Sequence, residues 1–131
     1  MQRSVITYSK NIFLPLTHVC ANECGYCCFR TPVNNDCVMS PSSVTDTIRK
    51  GASIGVTEAL FTFGERPGNV KGFSGILKSK TGFNDILDYC YDMCLKSIEY
   101  GILPHTNAGI LTYDELKRLK EVNASMGLML E

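Results

Sequence analysis

The sequence lacks a surplus of either charge: thirteen Lys and Arg balance thirteen Asp and Glu over 131 residues. Without a basic excess, nucleic acid and anionic membrane surfaces are not expected partners. It also lacks a long apolar run. No stretch resembles a signal peptide or a membrane span, so a cytoplasmic protein is expected. Tryptophan is absent, which excludes nothing. Cysteine is plentiful, with seven residues. In a chain without a secretory leader, that number points to a reducing compartment and to metal-binding or core thiols, not disulfides. The length suits one ordinary domain.

Three of the cysteines lie together in Cys20-Ala-Asn-Glu-Cys24-Gly-Tyr-Cys27. Three thiolates on one short loop suit an iron–sulfur cubane, whose fourth iron then stays open. An open position implies chemistry, as it does where catalytic zinc sites are told from closed structural ones. Gly25 lets the loop curl, and Tyr26 sets an aromatic ring beside the third thiol. Zinc is the competing reading. A structural zinc site wants a fourth ligand, usually in two separated pairs, and His18 is the nearest candidate. The alternative for His18 is to cap a strand end and contact the loop.

Along the chain, Ile12–Val19 reads as a buried strand delivering Cys20, with Pro15 implying a bulge or a late start. Residues 20–39 suggest no regular element. Ser40-Pro41 opens a helix as N-cap and first turn, with Val44, Ile48 and Ala52 on one face and Gly55 as the stop. Glu58–Phe63 is a second strand. Residues 67–82, rich in Gly and Lys, read as a flexible loop. Asn84 caps a helix running to about Tyr100, with Ile86, Leu87, Cys90, Cys94 and Ile98 as its stripe. Ile102–Asn107 is a third strand. Thr112-x-x-Glu115 is a capping box, opening a helix whose apolar face is Tyr113, Leu116 and Leu119. Ala124–Leu130 is a fourth buried strand. This alternation predicts an α/β chain of about four parallel β/α units, part of a TIM-like barrel.

In such a barrel the working residues sit at the C-terminal ends of the strands. Here those ends carry the cysteine loop, Gly64-Glu65, His105 with Asn107, and Glu131. Gly64 permits close backbone approach, and Glu65 suits a cationic ligand group; a plain turn is the alternative. His105 and Asn107 face substrate or nucleoside, or are a satisfied rim histidine and a turn residue. Glu131 meets a ribose hydroxyl or simply ends the chain. Cys90 and Cys94, four apart on an apolar face, read as core and not as a metal pair. Cys28 is expected to pack away from the cluster, and Cys37 has no assigned role.

The Cys20, Cys24, Cys27 spacing with Tyr26 before the last thiol resembles the radical SAM superfamily. Phe63-Gly64-Glu65 is similar to that superfamily's Gly-Gly-Glu segment, with Phe63 in place of the first glycine. Further stretches narrow the match: Ile6–Asn11, Cys24–Cys27 with Phe29-Arg30, Thr62–Pro67, Leu103–Asn107 and Glu121–Glu131. Together they resemble the deazaflavin-forming radical SAM subunit of FO synthase. The resemblance implies a [4Fe–4S] cluster on Cys20, Cys24 and Cys27. It also implies S-adenosylmethionine (SAM) held by Tyr26, Gly64, Glu65, Asn107 and Glu131. The implied reaction is a lyase step: an adduct of a tyrosine-derived hydroxybenzyl group and a ribitylaminopyrimidine closes to FO with loss of ammonia. A partner subunit would supply the adduct and a reductant protein the electron. Cys28 departs from the family's usual small residue. The family's chains are more than twice as long, so an N-terminal half of the core domain is expected here, residues 1–131.

Overall fold

The computed structural model describes residues 5–129. Four parallel strands form one sheet in the order β1 (Asn11–Pro15), β2 (Glu58–Thr62), β3 (Leu103–Asn107) and β4 (Ser125–Gly127). Three crossovers join them. Helix α1 (Pro41–Ser53) lies between β1 and β2. Helices α2 (Phe73–Thr81) and α3 (Ile86–Glu99) lie between β2 and β3, and α4 (Tyr113–Lys120) precedes β4. Four parallel strands in one α/β sheet, three of them followed by helices, agree with the expected part of a TIM-like barrel.

Period-two alternation divides the sheet. Leu14, Ala59, Phe61 and Thr106 point to one face and are buried beneath the helices. The opposite face carries Phe13, Leu60, Leu103, His105 and Asn107. Phe13 is 45% exposed there and Leu103 58%, so this face is half open.

Local chemistry explains most helix ends. Ser40 Oγ accepts the Ser43 N–H at 3.2 Å, and Pro41 occupies the first turn. Thr112 and Glu115 make both halves of the capping box. The second long helix is capped by Asp85, not Asn84; its carboxylate accepts the Leu87 N–H at 2.7 Å.

The structure corrects several expectations. Residues 67–82 are not a loop: a single 3-10 turn, Pro67–Asn69, precedes α2. Phe73 and Leu77, four apart, are buried by that helix, and Gly82, at φ +81°, closes it by donating to the Lys78 carbonyl. The glycines bound a helix here. The first strand leaves the ladder after Pro15, at the edge of the described sheet, where no second neighbour needs its missing N–H. Leu16 to Val19 continue as irregular chain with Leu16, Thr17 and Val19 buried, and Thr17 bridges Val38 antiparallel. Ile98 is 48% exposed, because the buried side of α3 is centred on Tyr89, Cys90, Met93, Cys94 and Ser97. On α4 only Leu119 is buried, while Tyr113 is 77% exposed. The fourth strand is three residues long and half-buried, being paired on one side only among the described residues.

Candidate functional site

The cysteine loop follows β1, and the Gly64-Glu65 segment follows β2. Because β1 and β2 are hydrogen-bonded neighbours, the two segments meet. The Cys20 Sγ accepts the Glu65 N–H at 3.2 Å and the Asn22 N–H at 3.4 Å. The Ala21 N–H donates to the Glu65 carbonyl at 2.8 Å. Gly64 is pressed against the same cysteine: a Cβ there would lie 2.5 Å from Cys20 Cβ and 2.7 Å from its sulfur. Only glycine fits, and the reason is close approach, since its φ is not positive.

Cys24 to Cys27 form a tight turn, with the Cys27 N–H on the Cys24 carbonyl at 3.1 Å. Cys20 and Cys24 are half-buried, and Cys27 and Cys28 are exposed. Tyr26 stands out in solvent at the tip of the turn, 73% exposed. Among the described residues no three His, Cys, Asp or Glu side chains are gathered as a formed metal site. The donor set nevertheless suits an iron–sulfur cluster: three thiols on one loop, with the first already accepting the backbone N–H bonds that cluster sulfurs take. Cys28 is as open as Cys27, beside His18, Phe29 and Thr31. His18 contacts the loop: its Nδ1 lies 3.2 Å from the Phe29 carbonyl, and its ring stacks on Phe29.

Glu65 reaches the segment after β3. Its Oε2 accepts the Ile110 N–H at 2.8 Å, and its Oε1 lies 3.6 Å from Arg66 Nε. Arg66 is the residue that sequence reasoning passed over. Its φ of +37° is the only positive value at a non-glycine among the described residues. Its guanidinium grips Glu115 with two bonds of 2.7 and 2.9 Å. Hydrogen bonding from Arg66 pulls the Glu115 carboxyl down to about 2, assisted by the Thr112 N–H and hydroxyl and opposed by its partial burial. Glu115 was visible in the sequence as a cap; its second partner, 49 residues away, carries no sequence signal.

Asn107 ends β3 as expected, and its carbonyl accepts the Phe63 N–H at 3.3 Å. His105 does not sit at the strand end. It lies within β3, paired with Leu60 and Ser125. Glu131 falls outside the described residues. Cys90, Cys94 and Cys37 are buried. Both α3 thiols approach Thr106 Oγ1, at 3.6 and 3.7 Å, and Thr106 donates to Asn123 Oδ1 at 2.8 Å. Cys90 is held protonated, its thiol raised by the bond to Cys94 and by burial. These are core groups, as expected.

No helix is long and apolar enough to cross a membrane, among the described residues. No family model matches the chain. Named relatives do, along its whole length. It is 65% identical over 131 residues to a 7,8-didemethyl-8-hydroxy-5-deazariboflavin synthase of Methanoculleus marisnigri, covering 39% of that protein. It is 63% identical over 131 residues to the protein of that name from Methanoregula boonei, covering 40%. The Methanothermobacter thermautotrophicus protein of the same name is 51% identical over 126 residues, 38% of its length. The chain thus spans about two-fifths of the length of the curated relatives it matches. From end to end, the chain is a homologue of part of the 7,8-didemethyl-8-hydroxy-5-deazariboflavin synthases.

Proposed function

We propose that this chain is the cluster-holding portion of a radical SAM lyase that forms the deazaflavin FO from a hydroxybenzyl–ribitylaminopyrimidine adduct. The observation that carries the proposal is the junction of Cys20 with Gly64-Glu65, where Cys20 Sγ accepts the Glu65 N–H at 3.2 Å. The segments that follow two neighbouring strands are fitted together, down to a glycine that admits no Cβ. The names of the relatives support the reaction.

Cys20, Cys24 and Cys27 would hold a [4Fe–4S] cluster. When bound, the cluster supplies one electron and SAM the radical that takes a hydrogen from the adduct. The chain's own residues do the positioning. The Glu65 and Asn22 N–H groups fix the Cys20 sulfur, and hydrogen bonds to cluster sulfurs are one lever on their potential. Glu65 keeps lone pairs beyond those given to Ile110 and Arg66, enough to meet the ammonium of SAM. Tyr26, Asn107 and Glu131 would contact the rest of SAM. A second subunit would supply the adduct and a reductant protein the electron.

The test is anaerobic reconstitution followed by iron and sulfide analysis of the chain and its cysteine variants. Cluster content should disappear in Cys20→Ala, Cys24→Ala and Cys27→Ala and persist in Cys28→Ala. Zinc without sulfide, or loss of the cluster in Cys28→Ala but not Cys27→Ala, would refute the assignment.

A further inference from the structure

The half-open sheet face carries a polar arrangement that neither the cluster nor SAM uses. Phe13, Leu60, His105 and Ser125 form one row across all four strands. Phe29, two residues beyond Cys27, meets Phe13 edge to face at 6.1 Å, so the cysteine loop reaches this row. His105 Nδ1 lies 2.6 Å from Ser125 Oγ and 3.5 Å from Glu58 Oε1. The Ser125 hydroxyl can donate or accept, whereas the Glu58 carboxylate only accepts, so Glu58 favours the neutral tautomer with the proton on Nδ1 and Nε2 as an acceptor. Gly127 makes room for that edge of the ring, since a Cβ there would stand 3.1 Å from Nε2. Gly127 lies one row nearer the strand ends, level with Asn107 and Thr62. Nε2 is thus turned toward the end of the sheet that holds the cysteine loop. Among the described residues it has no hydrogen-bond partner. The Thr62 hydroxyl in the adjoining row is buried and also unpartnered.

The unpaired Nε2, in a row with Phe13 and Leu60 that Phe29 borders, describes a surface for a flat ring that carries its own N–H or O–H. We propose that His105 is a substrate-binding residue, whose Nε2 accepts a hydrogen bond from a ring-borne N–H or O–H. Glu58 and Ser125 bias its tautomer. This rests on the proposed reaction, whose adduct contains both a phenol and an aminopyrimidine.

The experiment uses the whole chain and two probes, p-cresol for the phenol and a 6-(ribitylamino)uracil for the pyrimidine. Nitrogen-15 imidazole spectra should show a protonated Nδ1 and a pyridine-type Nε2 for His105. The chain has only one other histidine, His18, so assignment is direct. One of the two probes should bind and shift the Nε2 signal, and which one binds identifies the ring. His105→Asn keeps a contact to Ser125 but removes the Nε2 position, and should weaken that binding by about tenfold, the scale of one lost hydrogen bond. His105→Gln, whose amide reaches that position, should retain most of it. The opposite tautomer, no binding of either probe, or unchanged binding in His105→Asn would each overturn the proposal. Iron content should be unaffected in both variants. A chain that binds a probe but assembles no cluster would refute the cluster assignment alone.

Discussion

At the scale of single residues, the tightest constraint is Gly64. Any Cβ there enters the space of Cys20, so Gly64→Ala must displace the first thiol or the strand end behind it. Overpacking of this kind costs about 1–3 kcal/mol. The variant should show a lower urea midpoint together with reduced iron uptake on reconstitution. Full iron content with unchanged stability would show that the contact relaxes freely. Glu115 has a pH signature. Its folded-state carboxyl, lowered from 4.5 to about 2, stabilises the fold fully above the unfolded value and loses that contribution as pH falls through about 2. After screening at this partly exposed site, the Arg66 pair should contribute about 1–2 kcal/mol. Glu115→Gln preserves the cap, because Gln also serves in a capping box. It should therefore be less stable than the parent at pH 6 and converge with it toward pH 2. Parallel stability curves across that range would remove the ion pair from the account.

At the scale of elements, α3 shows how an apolar face absorbs polar groups. Cys90, Cys94, Thr106 and Asn123 satisfy one another beneath the helix. The Asn123 amide also donates to the Leu119 carbonyl at 2.9 Å, which joins α4 to the same cluster. Replacing both thiols by alanine leaves small cavities and loses two weak contacts to Thr106. The double variant should lose about 1–3 kcal/mol in chemical denaturation while taking up as much iron as the parent. Iron loss at full stability would move these thiols from the core to the metal. On α4, the caps and the Arg66 fork converge on one carboxylate. The helix start and the segment after β2 are therefore a single unit.

At the scale of the whole molecule, the sheet ends at a three-residue strand and keeps one face half open. Substrate in a barrel is gripped by loops from strands all around the rim, and the described residues supply four. Correct positioning accounts for about 7–11 kcal/mol of a barrier in well-oriented systems. Given SAM, reductant and adduct after reconstitution, this chain alone should release 5′-deoxyadenosine slowly and form no FO, as followed by chromatography. FO at a rate comparable to a full-length relative would show that four strands suffice. The exposed Phe13 and Leu103 should also drive self-association at high concentration, visible in sedimentation.

The sequence by itself determined the order of the four strands and of α1, α3 and α4, because short apolar runs and capping residues such as Ser40, Thr112 and Glu115 act within a few residues of themselves. It also determined the cysteine loop, whose three thiols are contiguous enough to be read as one donor set. Tertiary structure decided the rest. The glycines of 67–82 proved to bound a helix because Phe73 and Leu77 found a core to enter. Tyr113 faced solvent although it belongs to a periodic stripe, because none of the described residues covers that side of α4. Gly64 against Cys20, Arg66 on Glu115, and His105 between Glu58 and Ser125 join residues twenty to about fifty positions apart. Such pairs are set by strand register and by close approach in space, and neither leaves a mark in local spacing.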